Sequence, residues 1–294
     1  MRASSIEFRL RMLIMTAIVF IGIWAPWVGS WDLGRRISTL EWLALQISRI
    51  GLTSFTVATP IVIVIGALIA AVGMVLRVWG AAYLGYSTVH HADMQAGSVM
   101  AAGPYRYVRN PLYLGGWFMM AAISFLATPS GALFMMVLLT IFFLRLIIGE
   151  EAFLATQLGE PYLEYLRAVP RLVPRLRSPL PRAPAQPRWL TAILTEIMPI
   201  GTFVTMAVVS WWYDNLLMLN AILISLVASF VVRGLMKAPI PTCVFLVAAP
   251  AAWAIFNHSF LRATLVGFGA AIITWAVMPR DKAESHSDSK QAPN

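Results

Sequence analysis

The chain has 294 residues, of which 59% are hydrophobic and only 12% charged, with a mean hydropathy of +0.75. Soluble domains carry about 25% charged residues, so an ordinary soluble protein is excluded, and the apolar content leaves room for about eight transmembrane helices of about 20 residues each. The 22 Lys and Arg against 13 Asp and Glu give a net charge of +9; in this setting a basic excess points to loops on anionic lipid and not to nucleic acid.

Apolar runs bounded by charges and breakers predict crossings at 10–29, 53–80, 112–128, 130–149, 191–212, 215–235, 240–257 and 260–278. The first run follows basic residues, as a signal peptide would, but it is longer than an h-region and further spans follow, so it reads as a retained span. Residues 31–52 mix Arg35, Arg36, Glu41 and Arg49 with apolar residues and read as an interfacial segment. With eight crossings the termini share a side. Eighteen Lys and Arg then fall there, and only Arg35, Arg36, Arg49 and Arg262 fall opposite, an asymmetry that places both termini and the two long polar loops in the cytoplasm of a multi-pass protein, as in a bacterial inner membrane.

Between Pro170 and Trp189 six prolines alternate with arginines, a composition that cannot form a regular helix. The chain thus divides into a four-span region at 1–174, a basic linker at 175–189, a further region of about four spans at 190–280 and a polar tail at 281–294. A lone cysteine, Cys243, excludes an internal disulfide and a multi-cysteine metal site.

Polar chemistry is sparse after the linker: Glu196, Asp214, Asn257, His258 and Arg262 stand near span ends. Glu196 lies inside its span, where a carboxylate is either functional or paired with a linker arginine at the interface. The first region differs, because its polar residues gather in two segments flanking one helical hairpin. The first is Gly103-Pro-Tyr-Arg-Tyr-Val-Arg-Asn-Pro-Leu-Tyr-Leu-Gly115, in which Asn110-Pro111 is a helix start. Such a start offers unpaired N–H groups and a positive dipole end to an anion, and Arg106 and Arg109 add charge beside it. In the second, Arg145 lies within an apolar run, Glu150 and Glu151 follow, Gly159 ends a helix and Pro161 opens another with Tyr162 and Tyr165 on one face. Arginine and paired carboxylates at membrane depth imply cavity or ligand contacts.

At these residues the chain resembles the integral-membrane methyltransferases of the isoprenylcysteine carboxyl methyltransferase and phospholipid methyltransferase superfamily. The matching elements, in order, are Gly103 to Gly115 against G-P-Y-R-Y-V-R-H-P-x-Y-x-G, Glu150-Glu151-Ala-Phe-Leu154 against E-E-x-x-L, Gly159 to Tyr165 against G-x-x-Y-x-x-Y, and Val169-Pro-Arg171-Leu-Val-Pro174 against V-P-R-x-x-P. Together they cover about a quarter of the chain. The resemblance implies an all-α polytopic membrane protein holding S-adenosylmethionine at the cytoplasmic face, under a lid made by the helices after the hairpin. The cofactor residues it implies are Tyr105, Arg106, Tyr107, Arg109, Asn110, Tyr113, Gly115, Glu150, Glu151, Tyr162 and Tyr165. Arginines and a helix start suit the methionine carboxylate, carboxylates suit its ammonium or the ribose hydroxyls, and aromatic rings suit adenine and the sulfonium.

The family's His-Pro is Asn110-Pro111 here, as in the phospholipid N-methyltransferase branch. His90 and His91 upstream could supply a titrating group. The expected reaction is methyl transfer to a lipophilic acceptor entering from the bilayer. Arg109 or Arg145 would orient a carboxylate acceptor for O-methylation, or Glu150 or Glu151 would take the proton of a lipid amine. Methyl esterification stands first, lipid-amine N-methylation second. An NADPH-dependent membrane sterol or enone reductase is the alternative from another class, since those enzymes share a similar R-H-P-x-Y-x-G core.

Overall fold

A computed structural model describes residues 4–24, 37–92, 102–181 and 185–237, and every regular element among them is helical. The chain divides into two compact units, Met1–Ser229 and Phe230–Asn294. Of the second, the described part is the last turns of a helix ending at Lys237. The first holds all other elements. The predicted spans 240–257 and 260–278, Cys243, Asn257, His258, Arg262 and the polar tail lie outside the described residues.

Helix α1 (Ser5–Arg9) opens on a capping box between Ser4 and Glu7, and α2 (Arg11–Trp24) follows. Helix α3 (Thr39–Arg49) falls where the interfacial segment is expected and starts with a second capping box, between Ser38 and Glu41. Reciprocal bonding of this kind satisfies first-turn N–H groups that have no partner inside the helix. The Thr39 and Leu40 N–H groups instead donate to the Ala127 and Phe125 carbonyls, so α3 caps the turn between α5 (Pro111–Ser124) and α6 (Pro129–Leu158).

Helix α4 (Phe55–Ala92) runs well past the boundary expected at residue 80. Gly80 there reads as a breaker, yet one glycine costs a helix only about 1 kcal/mol, and a β-carbon on Gly80 would sit 2.9 Å from Leu112 Cδ2. The glycine makes room for α5. Helix α6 likewise continues beyond the expected residue 149, carries Glu150 and Glu151 on its last turns, and ends at Gly159, whose φ of +65° suits a residue without a β-carbon.

The predicted span 191–212 is not one straight helix. It is α8 (Trp189–Thr195) and a second stretch, α9 (Ile197–Ala207) with a 3-10 turn to Trp212, bent by 70°. Pro199 explains the break, because its ring cannot donate to and would clash with the Thr195 carbonyl four residues back; the backbone leaves the helix at Glu196. Helix α10 (Asn215–Lys237) agrees with the expected span at 215–235.

Among the described residues three helices are long and apolar enough to cross a bilayer, Phe55–Leu84, Pro129–Leu158 and Asn215–Met236, and the bent pair makes a fourth if it counts as one span. Helices α2 and α5, with 14 residues each, reach about 21 Å at 1.5 Å per residue, short of the hydrocarbon thickness of about 30 Å. On α4 the exposed residues Val57, Ile61, Val64, Leu68, Val72 and Val75 form a stripe at helical spacing, and Leu133, Val137 and Ile141 do so on α6. Water would oppose such stripes; lipid chains solvate them without cost. The described chain is therefore an all-α membrane protein.

Helix α4 is central and packs against α3, α5, α8 and α9. Its approach to α5 depends on glycines: a β-carbon on Gly115 would lie 2.7 Å from Arg77 Cγ and 2.9 Å from the Gly73 carbonyl oxygen. Beside this contact Val62, Ile63 and Ala70 of α4, Ala122 and Ile123 of α5 and Met206 of α9 form a buried core.

Candidate functional site

The two polar segments meet where α5 begins and α6 ends. Pro104 opens a 3-10 turn, Gly103–Arg106, and Pro111 opens α5 with Asn110 at its N-cap. Asn110 makes no side-chain cap to its own helix. Its Nδ2 instead donates to Glu151 Oε1 at 3.0 Å and to the Arg171 carbonyl at 3.3 Å. The capping role that the residue type suggests has given way to a tertiary one.

Glu151 is buried, with its side chain 6% exposed, and sits among cations. Arg171 donates from Nε at 3.0 Å and Nη2 at 2.8 Å to Oε2, and Arg109 Nε lies 3.5 Å from Oε1. A carboxylate so surrounded is compensated within the protein, as a buried charge must be. Glu150 is placed differently. Tyr113 OH donates to its Oε2 at 2.9 Å, and no Lys or Arg forms an ion pair with it among the described residues. Adjacent positions on one helix point about 100° apart, so one carboxylate turns into the arginine cluster and the other toward Tyr113.

Helix α7 (Glu160–Ala168) and the chain after it fold over the first segment. Tyr165 OH donates to the Tyr105 carbonyl at 2.9 Å, the Arg109 N–H to the Pro170 carbonyl at 2.9 Å, and the Arg175 N–H to the Tyr107 carbonyl at 3.0 Å. Arg106 clasps the Leu180 carbonyl with Nε at 3.2 Å and Nη2 at 2.6 Å, and Arg109 Nη1 reaches the Leu166 carbonyl at 3.2 Å. Tyr162 and Tyr165 are buried, their ring centroids 5.7 Å apart, and pack with Val169 and Tyr105. Burial, reinforced by the Glu151 charge at Tyr162 and by Tyr162 at Tyr165, pushes both phenols far above their ordinary range. They stay neutral donors at any physiological pH. The basic linker is therefore not loose along its length; its first half is stitched to the motif by backbone hydrogen bonds.

Of the predicted site residues, Tyr105, Arg106, Tyr107, Arg109, Asn110, Glu151, Tyr162 and Tyr165 thus form one connected cluster, with Tyr113 and Glu150 beside it. Gly115 serves packing, against Arg77. Arg145 is drawn elsewhere: its Nη2 bonds Glu7 Oε1 at 2.8 Å and Oε2 at 2.9 Å, tying α6 to α1. His90 and His91 lie on α4, but their side chains are outside the described residues. Glu196 is paired, as one reading expected, and the partner seen is on α4: Arg77 Nε to Oε2 is 2.6 Å and Nη2 to Oε1 is 3.1 Å.

Two contributors were missed. Arg77 also donates to the Leu112 carbonyl, at 3.3 Å, in the first turn of α5; an arginine in an apolar run was the available signal. Arg171 supplies the closest cation to Glu151, and its signal was the Val-Pro-Arg element itself.

Residues 61–160 match the phospholipid methyltransferase family. That stretch of the chain is thus similar to the phospholipid methyltransferases, a family of the integral-membrane methyltransferase superfamily. No curated protein and no solved structure matches it significantly. The match starts on α4 and ends at the α6–α7 junction, so the matched segment holds the whole first motif and both glutamates. The clasp from Pro161 to Leu180 and the bent pair α8–α9 lie beyond it.

Two buried atoms in this cluster have no hydrogen-bond partner among the described residues, Tyr105 OH and Arg109 Nε. Orphaned donors of this kind mark places where a ligand or water completes the bonding. Together with Glu150, the first turn of α5 and the tyrosine rings, they suit a zwitterionic, aromatic-bearing cofactor. Arg109 and the helix start answer a carboxylate, and Glu150 an ammonium or hydroxyl.

Proposed function

We propose that the chain is an S-adenosylmethionine-dependent methyltransferase acting on the amine head group of a lipid that stays in the bilayer. Bound S-adenosylmethionine would supply an electrophilic methyl group, held by the cluster from Tyr105 to Arg109 with Tyr162 and Tyr165 closing over it. The part left to the chain would be to hold a neutral lipid amine in line with that methyl group and to keep water away from it. The nitrogen must also shed a proton. Glu150 is the group suited to take it.

The observation that carries the choice of acceptor is the contrast between the two glutamates and the arginines. Of the two residues expected to orient a carboxylate acceptor, Arg145 is bonded to Glu7 and Arg109 lies beside Glu151, where it would serve the cofactor carboxylate, whereas Glu150 accepts from Tyr113 and forms no ion pair with a Lys or Arg among the described residues. This moves lipid-amine N-methylation ahead of carboxyl methylation. The Asn110-Pro111 pair, in place of His-Pro, supports the same branch. The asymmetry of basic residues supports a site on the cytoplasmic side of the membrane.

The test uses the full chain in vesicles of phosphatidylcholine and phosphatidylethanolamine, with S-adenosylmethionine labelled on its methyl group. Label extracted with the lipid and stable to mild alkali is the expected result. Label released by alkali would be a methyl ester and would restore carboxyl methylation. Binding of NADPH without binding of S-adenosylmethionine, read by isothermal titration, would place the chain among the reductases.

A further inference from the structure

Between α4 and the bent pair α8–α9 runs an open groove of about 520 Å³, within the range of small-molecule sites. Met74, Val75, Val78 and Trp79 of α4 form one wall, and Trp189, Ile193 and Ile200 the other. No lining side chain is charged, so the groove offers nothing to a water-soluble cofactor and much to hydrocarbon. We infer that this groove is the binding site for an acyl chain of the lipid acceptor, with one wall contributed by residues outside the family-matched segment; the identity of the occupant rests on the reading under Proposed function.

The bend at Glu196 creates the space. Positions 189, 193, 196 and 200 share one face of a straight helix, which would lie flat along α4; a turn of 70° separates its two halves. The bidentate Arg77–Glu196 pair, with the Glu196 side chain only 6% exposed, pins the apex of the bend to α4. Broken by removal of one partner, such a pair leaves a buried charge uncompensated, so the bend is held firmly. The Arg188 N–H to the Ala82 carbonyl, at 3.0 Å, and the edge contact of Tyr83 with Trp189 anchor the other end.

The groove adjoins the methyltransferase site. Trp79 lines it and also meets the Tyr107 ring, with centroids 6.1 Å apart. Arg77, bracketed in sequence by the α4 wall residues, bonds the Leu112 carbonyl in the first turn of α5. An acyl chain in the groove would therefore sit next to the segment that carries Tyr105 to Tyr113, and α4 as a span supplies a route from the bilayer.

The experiment uses the full chain in phosphatidylcholine vesicles containing a small fraction of phosphatidylethanolamine with a diazirine in one acyl chain. After irradiation, label is expected on peptides spanning residues 74–79 and 189–200, displaced by unlabelled phosphatidylethanolamine. Ile193 is 46% exposed, so Ile193→Trp should fold while filling the groove. Its expected effects are loss of that label and a KM for phosphatidylethanolamine raised about tenfold or more, with S-adenosylmethionine affinity unchanged. Ile193→Ala, which empties space, should keep the label. Equal labelling of Val57 to Leu68 on α4 and of Leu133 to Ile141 on α6 (annular lipid only), or no labelling of the groove, would overturn the inference, as would an unchanged KM. Selective groove labelling without methyl transfer would leave the groove standing and remove the functional reading; methyl transfer without groove labelling would do the reverse.

Discussion

Asn110 Nδ2 donates to Glu151 Oε1 across 3.0 Å and 41 residues of sequence, joining the N-cap of one motif helix to the last turns of the other. Asn110→Asp would set a second carboxylate against Glu151 and lose the donor. A hydrogen bond to a charged group contributes about 1.5–3 kcal/mol, so S-adenosylmethionine binding should weaken about tenfold or more by isothermal titration. Asn110→His keeps a donor and should bind better than the Asp variant. An Asp variant that binds like the parent would refute the shared-site geometry.

The two glutamates should separate in their effects. Glu150→Gln removes the base and leaves packing intact, so kcat should fall by about 10²–10⁴ with the melting temperature in detergent retained. Glu151→Gln leaves Arg109 and Arg171 undercompensated and should cost about 3 kcal/mol, the low end for a buried pair because Arg171 is 43% exposed. The same melting temperature for both variants would contradict the different environments described above.

Arg145 and Glu7 should behave as a structural clasp. Arg145→Ala and Glu7→Ala are each expected to lower the melting temperature slightly, to combine sub-additively in the double variant, and to leave kcat and the acceptor KM unchanged. The Arg145 guanidinium holds the Glu7 carboxyl below its ordinary range. A carboxyl with a lowered folded-state pKa stabilises above its unfolded pKa and loses that contribution as the pH falls through the folded value. The melting-temperature difference between parent and Glu7→Ala should therefore shrink on acidification. A large loss of kcat in Arg145→Ala would return that arginine to the reacting centre.

Gly115→Ala tests the approach of α4 and α5. The new β-carbon would meet Arg77 Cγ and the Gly73 carbonyl inside normal contact distance, and overpacking of this kind costs about 1–3 kcal/mol. Because the first turn of α5 must move with it, methyl transfer should fall together with the melting temperature. Full activity in a destabilised variant would separate helix packing from the site.

Local chemistry told where the hairpin, the helix start at Pro111 and the end at Gly159 would fall, because proline, glycine and capping residues act on their own neighbours. It also brought Glu151 and Asn110 under suspicion, since polar groups are costly beside lipid. It could not tell that Asn110 abandons its cap for Glu151, that Arg145 turns to Glu7, or that Arg77 of α4 meets Glu196. Those choices depend on distances between helices, and a side chain's partner across 119 residues leaves no periodic trace.

Composition and order of residues by themselves determined that this is a helical membrane protein with a methyltransferase signature, since hydrophobicity, breakers and motif spacing are properties of the chain read in one dimension. The tertiary structure alone decided which of two adjacent carboxylates is neutralised and which remains open. Turning about 100° per residue, the α6 helix aims one at the arginines beside α5 and the other at Tyr113, and only the packing of α5, α6 and the clasp after α7 sets what each one meets.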